Sequence, residues 1–459
     1  LAQENGQVTV AAIYMGGGSY MRIELISLAG ILISLALLIL MTYRGVSVLV
    51  IAPVCSVIVI LSAGMPLMDT LMDGYMTSYA DFVKNYFFIF FCSAILGKMM
   101  SDSGAARGIG VAIAGLAQRA TGHEKLLALL AVVLINALLS LGGVGSYVIV
   151  FTMMTICKSL FEKLDMPWHM YTCSSFGSGV LTLGMMPGSP SAVNIIPTTY
   201  LGTTVRAAPV LGFIGSGITL LLGIAYFQYI IAKAEREHEG FLPTGRRIKE
   251  AYQEDDQSDP PPFWKSILPT AVLLVVMNVL GWPPVVSMVA AMAATYVLFF
   301  RELHDMKRTV KEGANNGVAA LASICAVVGF GGAVAATPGY AMVISSMDRL
   351  PGPPVVQLLV SVTILVAITG SPSGGLGIAM DQLADRFLAM GMDPQVIHRL
   401  SAMASTGFDN LPHNGSINNT LTVVHLTHKE AYKHYWWSNT VIPVIGTVLT
   451  AVIAQFGVV

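Results

Sequence analysis

Two short polar stretches interrupt the most apolar parts of this chain, and they match each other. The first is Met186–Asn194 (M-P-G-S-P-S-A-V-N) and the second is Leu411–Asn419 (L-P-H-N-G-S-I-N-N). Aligned without gaps, their prolines, their central serines and their final asparagines coincide. Backbone that leaves a helix at membrane depth persists only where protein or a water-filled cavity surrounds it. Two breaks in matching positions therefore predict the substrate site of a transporter.

The composition around these breaks requires a membrane. Of the 459 residues, 54% are hydrophobic and 11% are charged, whereas about 25% are charged in a soluble chain. The net charge of −1 gives no reason to expect nucleic acid as a partner. The five cysteines stand in apolar surroundings without metal-type pairing, so we expect structural thiols and neither a metal nor a cofactor. The sequence contains no phosphate-binding loop of the Walker type, which leaves ATP-driven transport without support.

Several segments are suited to crossing a bilayer, which takes about 20 apolar residues. They are 23–43, 46–64, 82–100 and 206–232 in the first half, and 264–281, 284–300, 317–336 and 436–456 in the second. The charged stretch 234–262 between the halves predicts a cytoplasmic linker. The sequence thus predicts one repeat over 21–233 and a second over 263–459. Residues 1–20 are interpreted as an N-terminal extension without a functional role.

Each half also contains two apolar segments joined by a glycine-rich tip. Glycine and proline are strong helix breakers, so the lengths of these segments predict re-entrant helical hairpins with their tips inside the membrane. A helix then leads into each break, and a short helix resumes after it. The predicted segments are 124–141, 147–164, 168–184 and 191–201 in the first half, and 353–369, 376–390, 395–406 and 416–427 in the second.

The loop charges predict that the two repeats are inverted. Cytoplasmic loops carry an excess of Lys and Arg. One loop of the first half is acidic over 69–81, whereas its counterpart in the second half is basic over 301–311. We therefore expect an all-α polytopic protein of the inner membrane, with two inverted repeats of five spans and both termini facing outward.

The polar groups at the breaks and tips are the candidate substrate ligands. Burying so many of them without partners is costly, and a cavity that receives a ligand accounts for them. A helix that resumes after a break offers free N–H groups and a positive dipole end to an anion, which predicts a carboxylate substrate. The predicted substrate-binding residues are Gly143, Ser146, Ser189, Ser191, Asn194, Ser371, Ser373, Asn410, His413, Asn414, Ser416 and Asn419.

Asp409 and His413 are interpreted as the proton-coupling residues. Intramembrane Asp and His are costly and often belong to proton relays, and histidine titrates near neutral pH. In the competing interpretation, proline, asparagine and serine only cap two kinks, Asp409 caps a half-helix and His413 makes one structural hydrogen bond. His434 lies beside Lys433 near the predicted cytoplasmic end of the broken span, so we interpret it as an interfacial residue.

The residues 409–416 (D-N-L-P-H-N-G-S), followed by Leu426–Lys429, resemble the gluconate permease family of proton-coupled organic-acid symporters. Pro187–Pro190 and Ala208–Gly212 carry the same resemblance in the first half, and it extends over the chain from Met21 onward. The resemblance implies proton symport of sugar acids or other small hydroxy-carboxylates by dimers that work by an elevator motion. Asn410 and the run 416–419 differ from gluconate transporters, so a short acid such as 3-hydroxybutyrate is an equal alternative to gluconate.

Three functions therefore compete. A secondary symporter would couple the acid to protons, whereas a channel or uncoupled facilitator would be indifferent to a proton gradient. A membrane-embedded enzyme would use Asp409 and His413 as acid–base residues, but no nucleophile or metal cluster stands at a persuasive spacing. We favour a non-enzymatic symporter, a homodimer in the lipid bilayer, with the proton rather than Na+ as the coupling ion.

Overall fold

The computed structural model describes residues 17–44, 46–117, 122–142, 146–251, 259–347, 352–369, 371–412 and 414–459. Every regular element within these ranges is helical. The predictions made for 1–16, Gly143 and His413 lie outside the described residues, and so do those for the side chains of Ser146 and Asn419.

The helices of the first half follow the predicted segments closely. Their bounds are Gly17–Tyr43, Val48–Ser62, Leu67–Thr70, Leu71–Met76, Thr77–Asp102, Ala105–Ala117, Glu124–Leu141, Ser146–Lys163, Trp168–Ser174, Phe176–Met185, Ala192–Leu201 and Pro209–Arg236, followed by Leu242–Ala251 in the linker. The segment predicted as one helix over 168–184 is in fact a 3-10 turn followed by a π-helix. Glycines at three positions of that segment lower its α-helical preference.

The helices of the second half show the same order of arms and breaks. Their bounds are Phe263–Asn278, Pro284–Phe299, Met306–Ala335, Pro338–Met347, Pro354–Thr369, Pro372–Ala389, Pro394–Ala404, Phe408–Asn410, Gly415–Val423, His428–Tyr435, Trp436–Val441 and Ile442–Ala454. The arm predicted to begin at 376 begins at Pro372 instead, because Ser371 accepts a hydrogen bond from the Gly374 N–H and caps it. Proline at the first helical position is compatible with such a start.

Six helical stretches among the described residues are long and apolar enough to cross a membrane. They are Arg22–Met41, Leu67–Asp102, Glu124–Leu141, Pro209–Arg236, Met306–Ala335 and His428–Ala454. Large apolar side chains such as Ile33, Phe88 and Leu221 remain exposed on them. This confirms a membrane-embedded helical protein, since a soluble domain would bury such side chains.

The chain forms two compact units, and each of them combines segments from both halves of the sequence. One unit is Leu1–Asn85 with Ala322–Pro353, and the other is Tyr86–Leu321 with Pro354–Val459. Inversion of the repeats and the orientation of the termini stay predictions. Both breaks and both predicted hairpins belong to the second unit, which is therefore the unit of functional interest.

Close helix packing holds each unit together. In the first unit, Ile60, Tyr75 and Ala333 form a buried apolar cluster, and a Cβ added to Gly332 would stand 2.1 Å from the Ser78 hydroxyl oxygen. In the second unit, the two helices of each predicted hairpin pack against each other. The first helix of the first hairpin also packs against Phe176–Met185, which leads into the first break.

Candidate functional site

The first break lies between Phe176–Met185 and Ala192–Leu201, and Ser191 caps the helix that resumes. The Ser191 hydroxyl accepts a hydrogen bond from the Asn194 N–H at 3.3 Å and donates one to the Leu183 carbonyl at 2.5 Å. Serine is favoured at this position because its oxygen satisfies an otherwise unpaired helical N–H. Ser191 is thus at the break as predicted, and its side chain is engaged on both sides by the protein.

Asn194 connects the first break to the second half of the chain. Its amide nitrogen donates to the carbonyls of Ser189 at 3.0 Å and Val205 at 2.7 Å. Its amide oxygen is 3.2 Å from His398 Nε2, and His398 Nδ1 is 2.7 Å from the Thr203 hydroxyl. Because both Asn194 N–H groups are already donating, the Asn194 amide oxygen accepts a hydrogen bond from His398 Nε2. The His398 imidazole therefore bridges the two halves.

Arg399 makes a second connection from the helix Pro394–Ala404 to the first break. This side chain is fully buried. Its guanidinium donates to the carbonyls of Ala207 at 2.9 and 3.2 Å, of Val205 at 3.4 Å and of Gly184 at 3.4 Å. None of the ion pairs between described residues includes Arg399. Among the described residues, backbone carbonyl dipoles alone therefore stabilise the positive charge of Arg399.

The second break lies between Phe408–Asn410 and Gly415–Val423, where Asn414 is the helix cap. The Asn414 amide oxygen accepts from the N–H groups of Ser416 at 2.7 Å and Ile417 at 3.2 Å. The sequence predicted that the N–H groups at this helix N-terminus are free to bind an anion. This prediction is wrong for the N–H groups of Ser416 and Ile417, which donate to Asn414. Asparagine is a strong N-cap because its oxygen satisfies them first.

Asp409 lies within the second break, and only 4% of its surface is exposed. Its carboxylate accepts a hydrogen bond from the Asn410 side-chain amide at 2.7 Å. The same Asn410 amide nitrogen donates to the Asn439 carbonyl at 3.1 Å, and the Tyr432 hydroxyl donates to the Asn410 carbonyl at 3.0 Å. No ion pair between described residues includes Asp409. Since Asn414 caps the helix that resumes after the break, Asp409 is a buried acid rather than that cap.

The polar residues at and near the hairpin tips cap helices or pack between them. Ser371 caps its helix, and Ser373 is buried in the first turn of the same helix. In the first hairpin, the Ser178 hydroxyl donates to the Asn136 amide oxygen at 3.4 Å, so this asparagine bonds across helices. Ser146 begins the helix that follows the first tip. The predicted role of these serines in binding a substrate stays a prediction.

His434 is not an interfacial residue, although the sequence suggested it. Only 4% of its surface is exposed, and its ring stacks on that of His169 with centroids 4.7 Å apart. The residues that the sequence analysis missed at this site are His169, His398, Arg399 and Asn439. All are polar residues within helices, and intramembrane ionisable residues are by themselves a signal of function.

Comparisons with known proteins support a transporter. No family model matches the chain. It is 30% identical, over an alignment of 462 positions that covers 88% of this chain and 93% of the relative, to an uncharacterized transporter of Bacillus subtilis (strain 168), YxjC. Its fold is similar to the crystal structure of the Alcanivorax borkumensis YdaH transporter, with a TM-score of 0.51 and 15% identity over 83% of this chain and 88% of that one.

Proposed function

This chain belongs to the transporter family of Bacillus subtilis YxjC, and we propose that it is a secondary symporter that carries a small hydroxy-carboxylate together with protons. The proposed substrates are gluconate-like sugar acids and short acids of the 3-hydroxybutyrate type. The coupling ion is the proton, bound at Asp409.

The observation that carries the proposal is the environment of Asp409. A carboxylate buried without a cation is costly, and the cost disappears when the group takes up a proton. Among the described residues, Asp409 accepts a hydrogen bond from the Asn410 amide and takes part in no ion pair. Such a group can bind a proton on one side of the membrane and release it on the other, provided that its surroundings change between the two states.

The position of Arg399 supports the proposal that the substrate is an anion. Its buried positive charge pairs with no carboxylate of the described chain and stands next to the first break. A nearby anion would gain several times more Coulomb energy there than in water, because the local dielectric is low. The hydroxyl and amide groups of Ser189, Asn410 and Ser416 are suitable partners for the hydroxyl groups of such an acid.

Alternating access requires that the substrate-holding parts move as one body. Both breaks belong to the unit Tyr86–Leu321 with Pro354–Val459, and so do the helices of both predicted hairpins. Asn194 and Arg399 connect the first break to the second half of the chain. These connections favour an elevator-type movement of this unit. We also propose that the protein is a homodimer, in which this unit moves.

The test uses purified protein in liposomes with an acidic exterior. We expect accumulation of labelled 3-hydroxybutyrate or gluconate that a protonophore abolishes. Asp409→Asn should lose this accumulation but retain counterflow exchange of substrate at equal pH, whereas the exposed control Asp259→Asn should behave as wild type. Uptake that ignores the pH gradient would identify an uncoupled facilitator. No uptake across a panel of hydroxy acids would reject the proposal, and substrate turnover in detergent would identify an enzyme.

A further inference from the structure

We propose that the Asn439 side chain recognises a hydroxyl group of the transported acid. This inference rests on the proposed function and deepens it, because it assigns a substrate contact to the same site. Asn439 lies in the π-helix Trp436–Val441, within the stretch His428–Ala454 that is long and apolar enough to cross a membrane. It belongs to neither break and to neither hairpin tip, so the matching sequence patterns do not point to it.

The orientation of the Asn439 amide is fixed by the residue before it. The Ser438 hydroxyl donates to the His434 carbonyl at 2.6 Å, and its oxygen accepts from the Asn439 amide nitrogen at 2.8 Å. If the amide were turned over, its oxygen would face a hydroxyl whose single hydrogen is already used. The amide nitrogen of Asn439 is therefore the atom that meets Ser438, and the amide oxygen stands on the other side of the group.

The amide oxygen of Asn439 is buried without a hydrogen-bond partner, and only 1% of the residue's surface is exposed. An unpaired buried acceptor is costly and needs an explanation. If Asn439 only packed between helices, leucine would fill a similar volume without that cost. A buried asparagine with a packing role pairs both ends of its amide, as Asn136 does. The Asn136 amide nitrogen donates to the Val132 carbonyl at 3.3 Å, and its oxygen accepts from the Ser178 hydroxyl at 3.4 Å.

Asn439 contacts the elements that form both breaks. Its backbone carbonyl accepts from the Asn410 amide, which also holds the Asp409 carboxylate of the second break. Its amide oxygen faces Gly179, at 3.8 Å from the position that a Cβ there would take. Gly179 belongs to the π-helix Phe176–Met185, which leads into the first break. Because glycine has no side chain, it offers this oxygen no side-chain donor.

The local backbone also supports a functional role. Asn439 and Gly179 both lie in π-helices, and these two π-helices pack against each other. π-helices are rare, and they occur frequently at functional sites. One of the two leads into the first break, and the other packs against the turn Phe408–Asn410 of the second break. The unpaired oxygen therefore lies where the two predicted halves of the substrate site meet.

An amide oxygen without a partner determines which group of the acid can bind to it. It only accepts hydrogen bonds, so its partner must carry an O–H or N–H group, and an ionised carboxylate carries neither. The hydroxyl end of the acid therefore binds at Asn439, and its carboxylate lies toward Arg399, whose guanidinium donates to the Gly184 carbonyl. Gly179 and Gly184 are five residues apart on one helix, roughly 7 Å, a distance that a small hydroxy acid spans. Since Asn439 is closed to water, the acid reaches it only when the neighbouring helices part, as alternating access requires.

The experiment measures counterflow of labelled 3-hydroxybutyrate in liposomes at equal pH, with unlabelled 3-hydroxybutyrate, butyrate and 3-oxobutyrate as competitors. Butyrate lacks the hydroxyl group, and 3-oxobutyrate keeps the oxygen but carries no hydrogen on it. Labelled gluconate, with gluconate and 3-deoxygluconate as competitors, forms a second series, and the series that the wild type exchanges is decisive. The readout is the ratio of the half-inhibitory concentrations of the deoxy acid and the hydroxy acid, which a general loss of activity does not change.

For the wild type we expect this ratio to be at least about tenfold, because the deoxy acid leaves the buried oxygen unpaired, and we expect 3-oxobutyrate to compete no better than butyrate. Asn439→Leu should bring the ratio to within about twofold of unity by weakening the hydroxy acid, since leucine has no acceptor. The matched control Asn136→Leu removes a buried amide whose two ends are paired. It should lower the melting temperature and leave the ratio unchanged. Asn439→Ala, which also lacks the oxygen and is smaller, replaces Asn439→Leu if that variant does not fold.

Equal inhibition of the wild type by the hydroxy acid and its deoxy counterpart would overturn the assignment without any variant. A wild-type ratio in Asn439→Leu would overturn it as well, whether or not overall exchange is reduced, because a packing role predicts that result. A wild type that exchanges neither 3-hydroxybutyrate nor gluconate would instead reject the proposed function itself.

Discussion

Replacing Gly177 by alanine should separate two helices that the first break depends on. A Cβ at this position would stand 2.0 Å from the Val133 carbonyl oxygen and 2.9 Å from the Ala137 nitrogen, and real Cβ atoms essentially never come within 3.0 Å of such atoms. The helix Glu124–Leu141 would have to move by about 1 Å. Overpacking costs typically about 1–3 kcal/mol, and a clash with backbone belongs at the upper end. Alanine regains about 1 kcal/mol through its helix propensity, which leaves a net loss of about 2 kcal/mol.

The matched control is Gly179→Ala in the same helix. Its added Cβ would meet nothing closer than the Asn439 amide oxygen at 3.8 Å, which is ordinary contact. Thermal unfolding in detergent, followed by tryptophan fluorescence, should place Gly177→Ala about 2 °C below wild type and Gly179→Ala at or above it. Gradient-driven uptake should fall with Gly177→Ala alone. Equal melting temperatures for the two variants would refute the close packing of hairpin and broken helix.

Three further predictions concern single contacts. Arg399→Lys should lower both the melting temperature and the initial rate of uptake, because one ammonium group cannot reproduce four donations to three carbonyls. Asn414→Ala should lower the free energy of unfolding by about 1 kcal/mol, the typical loss of an N-cap, whereas Ser416→Ala should change the melting temperature little because that side chain is not the cap. The Lys265 ammonium lowers the pKa of Glu302. The pair therefore stabilises the fold above the ordinary carboxyl pKa, and the contribution is lost as the pH falls through the lowered value. The melting temperature of the wild type should therefore fall at acidic pH, and Glu302→Gln should not show this fall. The pair contributes less than about 1 kcal/mol to the free energy of unfolding, because Glu302 is partly exposed.

The sequence predicted the positions of the helices best. The first hairpin arm, predicted at 124–141, is the helix Glu124–Leu141. Apolar runs and their glycine or proline ends are local features, so they can be read from one stretch at a time. The same local reading placed the start of the arm at 376 four residues late, because it took Ser371 and Pro372 as loop rather than as cap and first turn.

The site was less predictable because its contacts join distant parts of the chain. Nothing near Asn194 in the sequence indicates that it meets His398, and nothing near Gly184 indicates that it meets Arg399. His434 was misinterpreted for a related reason. Lys433 beside it is exposed, but neighbouring residues on a helix point about 100° apart, so an exposed lysine says little about the burial of the residue that follows.

The two breaks look alike in sequence, but only the second one contains a carboxylate, Asp409. At the first break, the amide of Asn194 has three protein partners and Arg399 donates to three carbonyls. Redirecting such a group toward a substrate would cost about 1–3 kcal/mol for each bond left unmade. At the second break, the Asp409 carboxylate is buried with the Asn410 amide as a donor and with no cation in an ion pair among the described residues.

A buried carboxylate that takes up and releases a proton in every transport cycle must exchange partners between its two states. We therefore expect the first break to keep its shape during transport and the second break to exchange partners. Asn194→Ala should lower the melting temperature by several degrees and change the substrate concentration for half-maximal uptake less than threefold. Asn410→Ala should raise that substrate concentration more than threefold because its amide holds Asp409, and it should also lower the melting temperature because the amide donates to Gly407 and Asn439 as well. If the two substitutions affect stability and apparent affinity in the same proportion, the breaks share one role and this distinction is wrong.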